Sequence, residues 1–574
     1  MPSHEGPPEP TPGPTPDDSS PDGHPDGTAT RQKRLRPAVV ISVLAVLAVL
    51  ASLVLFLRPT TSGDAAASPA PSTSASATPA PASAKAAPSP TKDPFYKQLG
   101  PPAGSPLEPV AAQQVTVSAD PVGTTLNKST AGLSLEATDL GDPALTADNA
   151  SMVALLKQMD QPFLRFGGRA VDRRFFWTSS GEPLPENYRG DKAHVPRAVG
   201  PADLARVASL LKATDAKVTI TVDLGHYDPA RAADLVKHAT EIFGDRLLSV
   251  TVGNEPNGYA ADGVRPASYI VADYLKELQA YAAAIYAVAP NLPISGPGTY
   301  DETWWQPFID VKLPQRKILT FHYYALFSCD GSTPTSSPVM GNLMNANMHQ
   351  RNIEYLNEAL RAGNAAGIET WLPETGASTC PGSNEITKTH ASALWAADYS
   401  LNAAQLGIAK LAFHSSLLTC AGGPPMSAIC NGGPYLKPDG ELSARANFFG
   451  IAMVSQLEGG KFLKNISTGG GLATSYALQN ADGSTTVVLV NENEPEKAAQ
   501  TAVTLDLPGK ARTGTMSQLT GPSYASQDGT AIDGDKSGPV PLADRATVEG
   551  FKPGSATQTF KLTAGTVTVL NYTY

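Results

Sequence analysis

Between residues 130 and 455, short apolar runs of strand character alternate with longer Ala-rich stretches of helical character. The runs are Gly132–Glu136, Pro162–Phe166, Val218–Val222, Leu248–Val252, Pro293–Gly296, Ile318–Tyr324, Thr370–Pro373 and Ile408–Phe413. Intervening stretches such as Tyr274–Ala287 and Thr389–Leu406 have helix-compatible spacing and no proline. Strand and helix in alternation imply parallel strands joined by crossover helices, and eight repeats predict an α/β fold, a (β/α)8 TIM barrel. An open doubly wound sheet is the competing architecture, but no Gly-rich phosphate loop follows the first run.

From residue 456 the pattern changes. Leu472–Ala477, Thr485–Val490, Thr501–Leu505 and Thr566–Leu570 are short β-rich segments separated by Gly, Asp and Asn. Such spacing predicts an antiparallel β-sandwich over 456–574, with Gln114–Val117, from the 107–129 stretch, adding a strand. The sandwich reads as a packing buttress, with carbohydrate binding as the alternative.

The first hundred residues lie outside this pattern. Residues 1–36 are rich in Pro, Asp, Ser and Gly and end in the basic cluster Arg31–Arg36. Within 37–58, Ala38–Leu57 carries no charge, and twenty residues at about 1.5 Å each match a bilayer's hydrocarbon core. We expect a signal anchor with a disordered cytoplasmic tail and an exported body; a cleaved secretory signal is the alternative. Residues 59–106 form a linker, Ala, Pro, Ser and Thr for most of its length, that holds the body away from the membrane.

Export bears on the cysteines. Cys329, Cys380, Cys420 and Cys430 are even in number. Three disulfide connectivities are open: Cys420 and Cys430 bracket a short loop and would pair locally, Cys329 and Cys380 each follow a strand run and could tie two neighbouring loops, and four unpaired thiols are the alternative. No Cys-x-x-Cys or His-Glu-x-x-His spacing calls for zinc, and no cofactor is expected. With a net charge of −10, and charged residues only 17% of the chain, nucleic acid is not an expected partner.

Two glutamates follow apolar runs that would end inside a barrel rim: Glu255 in Gly253–Asn257 and Glu374 in Trp371–Thr375. A carboxylate pointed into a pocket costs several kcal/mol unless it is paired or used. Two of them converging give the apparatus that cleaves glycosidic bonds. The same rim collects Glu136, Asp223, Asn254, Asn257, His322 and Tyr324, with Gly167, Gly168, His226 and His414 also there. Arg165 and the two glycines are read as shaping the second strand's turn or touching substrate; His226 and His414 as wall histidines.

Leu164–Gly168, Val252–Asn257, Phe321–Tyr324 and Trp371–Thr375 together resemble glycoside hydrolase family 79, the family of heparanase and related β-glucuronidases, over roughly 107–574. The resemblance implies a retaining mechanism with Glu255 as acid/base and Glu374 as nucleophile, their carboxyls about 5–5.5 Å apart. It also implies that Asn254 bonds the sugar 2-hydroxyl, that Tyr324 sits near Glu374, and that Gly382 and Tyr435 stand where the family binds a uronate. The cysteines and Ala421–Pro425 depart from the heparanase-like pattern, and the rim lacks a Lys/Arg cluster. A short glucuronide or a neutral sugar is therefore easier to accommodate than a sulfated polymer. A β-xylosidase, a β-glucosidase, or a surface carbohydrate-binding protein without catalysis are the alternatives.

Overall fold

The computed structural model describes residues 106–574 except 189, 316, 382, 422–426 and 535–544. The expected tail, anchor and nearly all of the linker, and Gly382, lie outside the described residues. Among those described, no helix is long and apolar enough to cross a membrane.

Eight strands close a barrel: β1 (Ala131–Glu136), β2 (Phe163–Gly167), β3 (Lys217–Val222), β4 (Leu247–Val252), β5 (Ile294–Thr299), β6 (Lys317–Leu326), β7 (Thr370–Ser378) and β8 (Lys410–His414). Each pairs in parallel with the next, and β8 pairs with β1. The strands are buried on both faces, between the barrel interior and the helices: in β3 the alternating Thr219 and Thr221 are as buried as Val218, Ile220 and Val222.

Strand β7 runs past the end expected at Pro373. Between Trp371 and Glu374 it spends three residues where β6 spends two, and it does the same between Leu372 and Thr375 against β8. The extra residue is a bulge at Pro373, whose missing N–H cannot join either ladder. A one-residue slip reverses the facing of everything beyond it, so the bulge sets which side Glu374 presents.

Among the described residues, the largest sheet outside the barrel has ten strands. Gln113–Leu126 lies within it, antiparallel to Gly460–Thr468 and parallel to Thr501–Ala511. Alternate residues of its central strands serve two cores. Val488, Val490, Val567 and Val569 join the core of the barrel. Val487, Leu489, Leu570 and Tyr572 join a second core with Val503, Leu505 and Leu562 from the outlying strands, giving the second layer of a sandwich. Helix His390–Leu406, buried over nearly all of its length, lies at the junction of barrel and sheet. Its Asp398 accepts hydrogen bonds from Thr474 and Tyr476 of the sheet and lies 2.7 Å from His349 Nδ1.

Candidate active site

Strand β4 ends at Val252, and the next three residues make an abrupt turn. Gly253 has φ +74°, and a Cβ there would lie 2.6 Å from the Tyr259 hydroxyl, so the position requires glycine. Asn254 is buried, and its N–H donates to Asp172 Oδ2 at 2.9 Å. Glu255 is left-handed at φ 49°, ψ 54°, a conformation costing of order 1–3 kcal/mol for a residue with a side chain. Such strain persists only where the surroundings enforce it. Here Pro256 disfavours the right-handed helical region for the residue before it, and the Glu255 N–H is tied to Gly298 O across β5.

Each oxygen of Glu374 accepts a hydrogen bond. The Arg165 guanidinium donates to its Oε2 at 2.6 Å, and the Tyr324 hydroxyl donates to its Oε1 at 3.0 Å. Arg165 also donates to Ser134 Oγ at 3.0 Å and to Asn254 Oδ1 at 2.5 Å, linking β1, β2, β4 and β7 through one side chain. Burial pushes the Glu374 carboxyl up, but the charges of His414, His322 and Arg165 outweigh it and hold the group well below the carboxylate range. Burial and the charges of Glu374 and Glu255 drive the Tyr324 phenol far up, so it stays a donor.

His322 stands between the two acids, its Nδ1 2.9 Å from Glu255 Oε1 and 3.7 Å from Glu374 Oε2. Among the described residues it is the one side chain hydrogen-bonded to the Glu255 carboxylate. One oxygen of each glutamate and a His322 nitrogen lie within 4.8 Å of one another, a spacing a cation can bridge. Arg165, however, already sets a full positive charge against the Glu374 oxygen that faces His322.

Glu136, Glu255, His322, Tyr324 and Glu374 line one cleft of about 660 Å³. Asn254 lies beside it; its Nδ2 is buried without a partner while Arg165 fixes its Oδ1. Three further described sequence candidates are not among the cleft-lining residues. Asp223 is engaged by Tyr188 and by His226, three residues along the same turn. Asn257 lies in the turn after Glu255, with its Oδ1 buried and unpartnered. Tyr435 is 58% exposed, on the loop between the short strands Ile429–Asn431 and Leu442–Ala444.

The sequence reading undervalued Arg165 and His414, and it missed Ser134 and Asp172. His414 lines the cleft, 3.1 Å from Ser134 Oγ and 3.6 Å from Glu136 Oε1. Burial lowers its pKa, but the carboxylates Glu374 and Glu136 more than reverse this. Asp172 accepts N–H bonds from Leu224, Gly225 and Asn254, fixing the β3 and β4 turns together. Burial, helped by the charge of Asp223, pushes Asp172 up to about 6. The mouth adds the exposed aromatics Tyr300 and Phe327.

Residues 205–400, which carry both glutamates, match the family model of the glycosyl hydrolase family 79 N-terminal domain. The chain is a glycoside hydrolase. Among solved structures, this hydrolase is similar in fold to a 4-O-α-L-rhamnosyl-β-D-glucuronidase from Fusarium oxysporum 12S, at 18% identity and TM-score 0.60, covering 80% of this chain and 99% of that one. It is also similar to the GH51 arabinofuranosidase from Xanthomonas axonopodis pv. citri, at 14% identity and TM-score 0.60, covering 81% and 100%. A bifunctional glucanase-xylanase from a metagenome library follows at 14% and TM-score 0.52, covering 81% and 99%. None of the curated proteins matches the hydrolase in sequence. Both disulfides form, Cys329–Cys380 and Cys420–Cys430.

Proposed function

We propose that this hydrolase is a retaining β-glycosidase that acts on a β-glucuronide, exported and held at the membrane by Ala38–Leu57. The observation that carries the mechanism is the approach of one carboxylate oxygen of Glu255 to one of Glu374 within 4.8 Å. Retaining enzymes hold their carboxyls about 5–5.5 Å apart, whereas inverting ones leave about 6.5–9.5 Å for a water.

The surroundings suit different roles. Glu374, kept ionised by the charges of His414, His322 and Arg165, attacks the anomeric carbon and forms a glycosyl ester. Glu255 protonates the departing oxygen and then takes a proton from the water that cleaves the ester. Asn254, with Oδ1 fixed and Nδ2 free, is oriented to donate to the sugar's 2-hydroxyl. The family match and the Fusarium enzyme's named activity support the glucuronide choice.

The deciding test offers aryl β-glucuronide, β-xyloside and β-glucoside to the soluble body and follows the anomeric configuration of the product by NMR. Release of β-glucuronic acid first, ahead of slow mutarotation, is the expected result. Faster release from the xyloside or glucoside moves the specificity, an α-anomer as first product overturns the mechanism, and inactivity on all three favours the carbohydrate-binding reading. Protease applied to intact cells should release an active body cut within 59–93; retention of that body contradicts the anchoring.

A further inference from the structure

The Cys329–Cys380 disulfide joins the loop after β6 to the loop after β7, the two strands that carry Tyr324 and Glu374. Both of its flanks are part of the cleft. Phe327 lies two residues before Cys329 and Thr379 immediately before Cys380, and both line the cavity. Cys329 is exposed, whereas Cys380 is fully buried. The bridge is therefore an exposed handle on the cleft wall, anchored at one end in the core.

Phe327 needs an explanation that folding does not give. It is 52% exposed at the mouth, and Tyr300 beside the next strand end is 54% exposed in the same cavity. Both rings line the cavity that holds Glu255 and Glu374, so they place apolar surface at its mouth rather than singly over the molecule. A sugar ring bound between Glu255 and Glu374 would leave its neighbour at this rim, and the apolar face of a second ring is what an aromatic side chain covers.

The disulfide is the covalent tether nearest Phe327. At the loop's start, Thr379 N–H donates to Leu326 O, and at the far end Arg351 holds Thr335 and Ser336. Between them, residues 327–333 are braced by their own turn around Ser328, by hydrogen bonds from Ser328 N–H to Ser336 O and from Ser337 Oγ to Thr333 O, and by the disulfide, which among the described residues alone ties them to the β7 loop beyond Leu326. We propose that Phe327 is the wall of an outer subsite for a second ring of the substrate, sugar or aryl, and that the Cys329–Cys380 bridge is a redox-sensitive clip that sets it. Reduction would let the wall move while Tyr324, His322 and Glu374 stay on their strands. This rests on the glycosidase reading above for what occupies the inner position.

The test uses the full chain with Cys420→Ser and Cys430→Ser, so that the clip is the one reducible bridge. A dithiol such as dithiothreitol supplies two electrons and two protons, leaving two thiols and becoming a cyclic disulfide itself. Binding of phenyl and methyl 1-thio-β-D-glucuronide, which are not turned over, is measured by calorimetry before and after reduction. Phe327→Ala should weaken phenyl relative to methyl binding about three- to tenfold, and reduction should weaken it about two- to fivefold in the same sense. Hydrogen exchange should rise on reduction in 327–333 and not in β6 or β7. An unchanged phenyl-to-methyl ratio in Phe327→Ala overturns the outer subsite, and unchanged exchange overturns the clip. Cys329→Ser with Cys380→Ser should reproduce the reduced state, and failure to do so also counts against the clip. Absence of binding by either thioglycoside, together with inactivity on every aryl glycoside, is the separate failure of the glycosidase reading; the exchange result still decides the clip.

Discussion

The two ends of the cleft use the same acid in opposite settings. Around Glu374, a guanidinium, a phenol and two histidines converge on a carboxylate that lies within a strand. Around Glu255, one imidazole nitrogen meets a carboxylate carried on a strained turn beyond its strand. On the proposed mechanism, the group that must stay charged is the one built into the sheet and surrounded by positive charge. The group that must give and take a proton is the one left with one adaptable partner and contact with solvent. The difference in surroundings, not in residue type, is what would separate the two proposed roles.

The largest effect that can break this comparison is on Glu374. Glu374→Ala should lower kcat on an aryl glucuronide by about 10⁴-fold or more, because the covalent path loses its nucleophile. Glu255→Ala should cost about 10²–10⁴-fold on a substrate with a poor leaving group and much less where the leaving group needs no proton. Added azide should restore turnover in Glu255→Ala by taking the open position of the base. Equal losses on both leaving groups, with no response to azide, would show that the two ends are not distinct.

Arg165 tests why the Glu374 end differs. Arg165→Met keeps much of the bulk and removes the charge. It should lower kcat/KM by about 10²-fold and raise the acid limb of the pH–rate profile. The direction follows from the linkage: Glu374 has a depressed folded pKa, so the stability it contributes is present above the ordinary carboxylate pKa. That contribution is lost as pH falls through the depressed value. With Arg165 gone, the depression shrinks and protonation begins at higher pH. An acid limb that does not move would mean that the histidines alone hold the charge.

How much of this arrangement a reader of the sequence can see depends on range. Strands β1 to β8 are legible because short runs of apolar, Ser and Thr residues recur between Ala-rich helical stretches. The end of β7 is not, since Pro373 reads as a stop and only the bulge lets the strand continue. Arg165 announces itself as a charge inside an apolar strand, yet its partner Glu374 is 209 residues away and nothing local names it. His414 has the same problem, with Ser134 at a separation of 280. Asp223 errs the other way. It sits beyond a barrel strand as a rim residue should, but His226 three residues later and Tyr188 across the turn already occupy it.

Tyr324→Phe sharpens the comparison at its smallest scale. The ring still packs, and only the hydroxyl that donates to Glu374 Oε1 at 3.0 Å is lost. A hydrogen bond to a charged group contributes about 1.5–3 kcal/mol, so kcat/KM should fall about 10- to 100-fold. The effect should stay at or below that of Arg165→Met, because the guanidinium supplies net charge as well as a bond. The acid limb should move in the same direction but less. If Tyr324→Phe instead matches Glu374→Ala, the phenol takes part in the chemistry itself, and the Glu374 end is more than a setting that holds one anion in place.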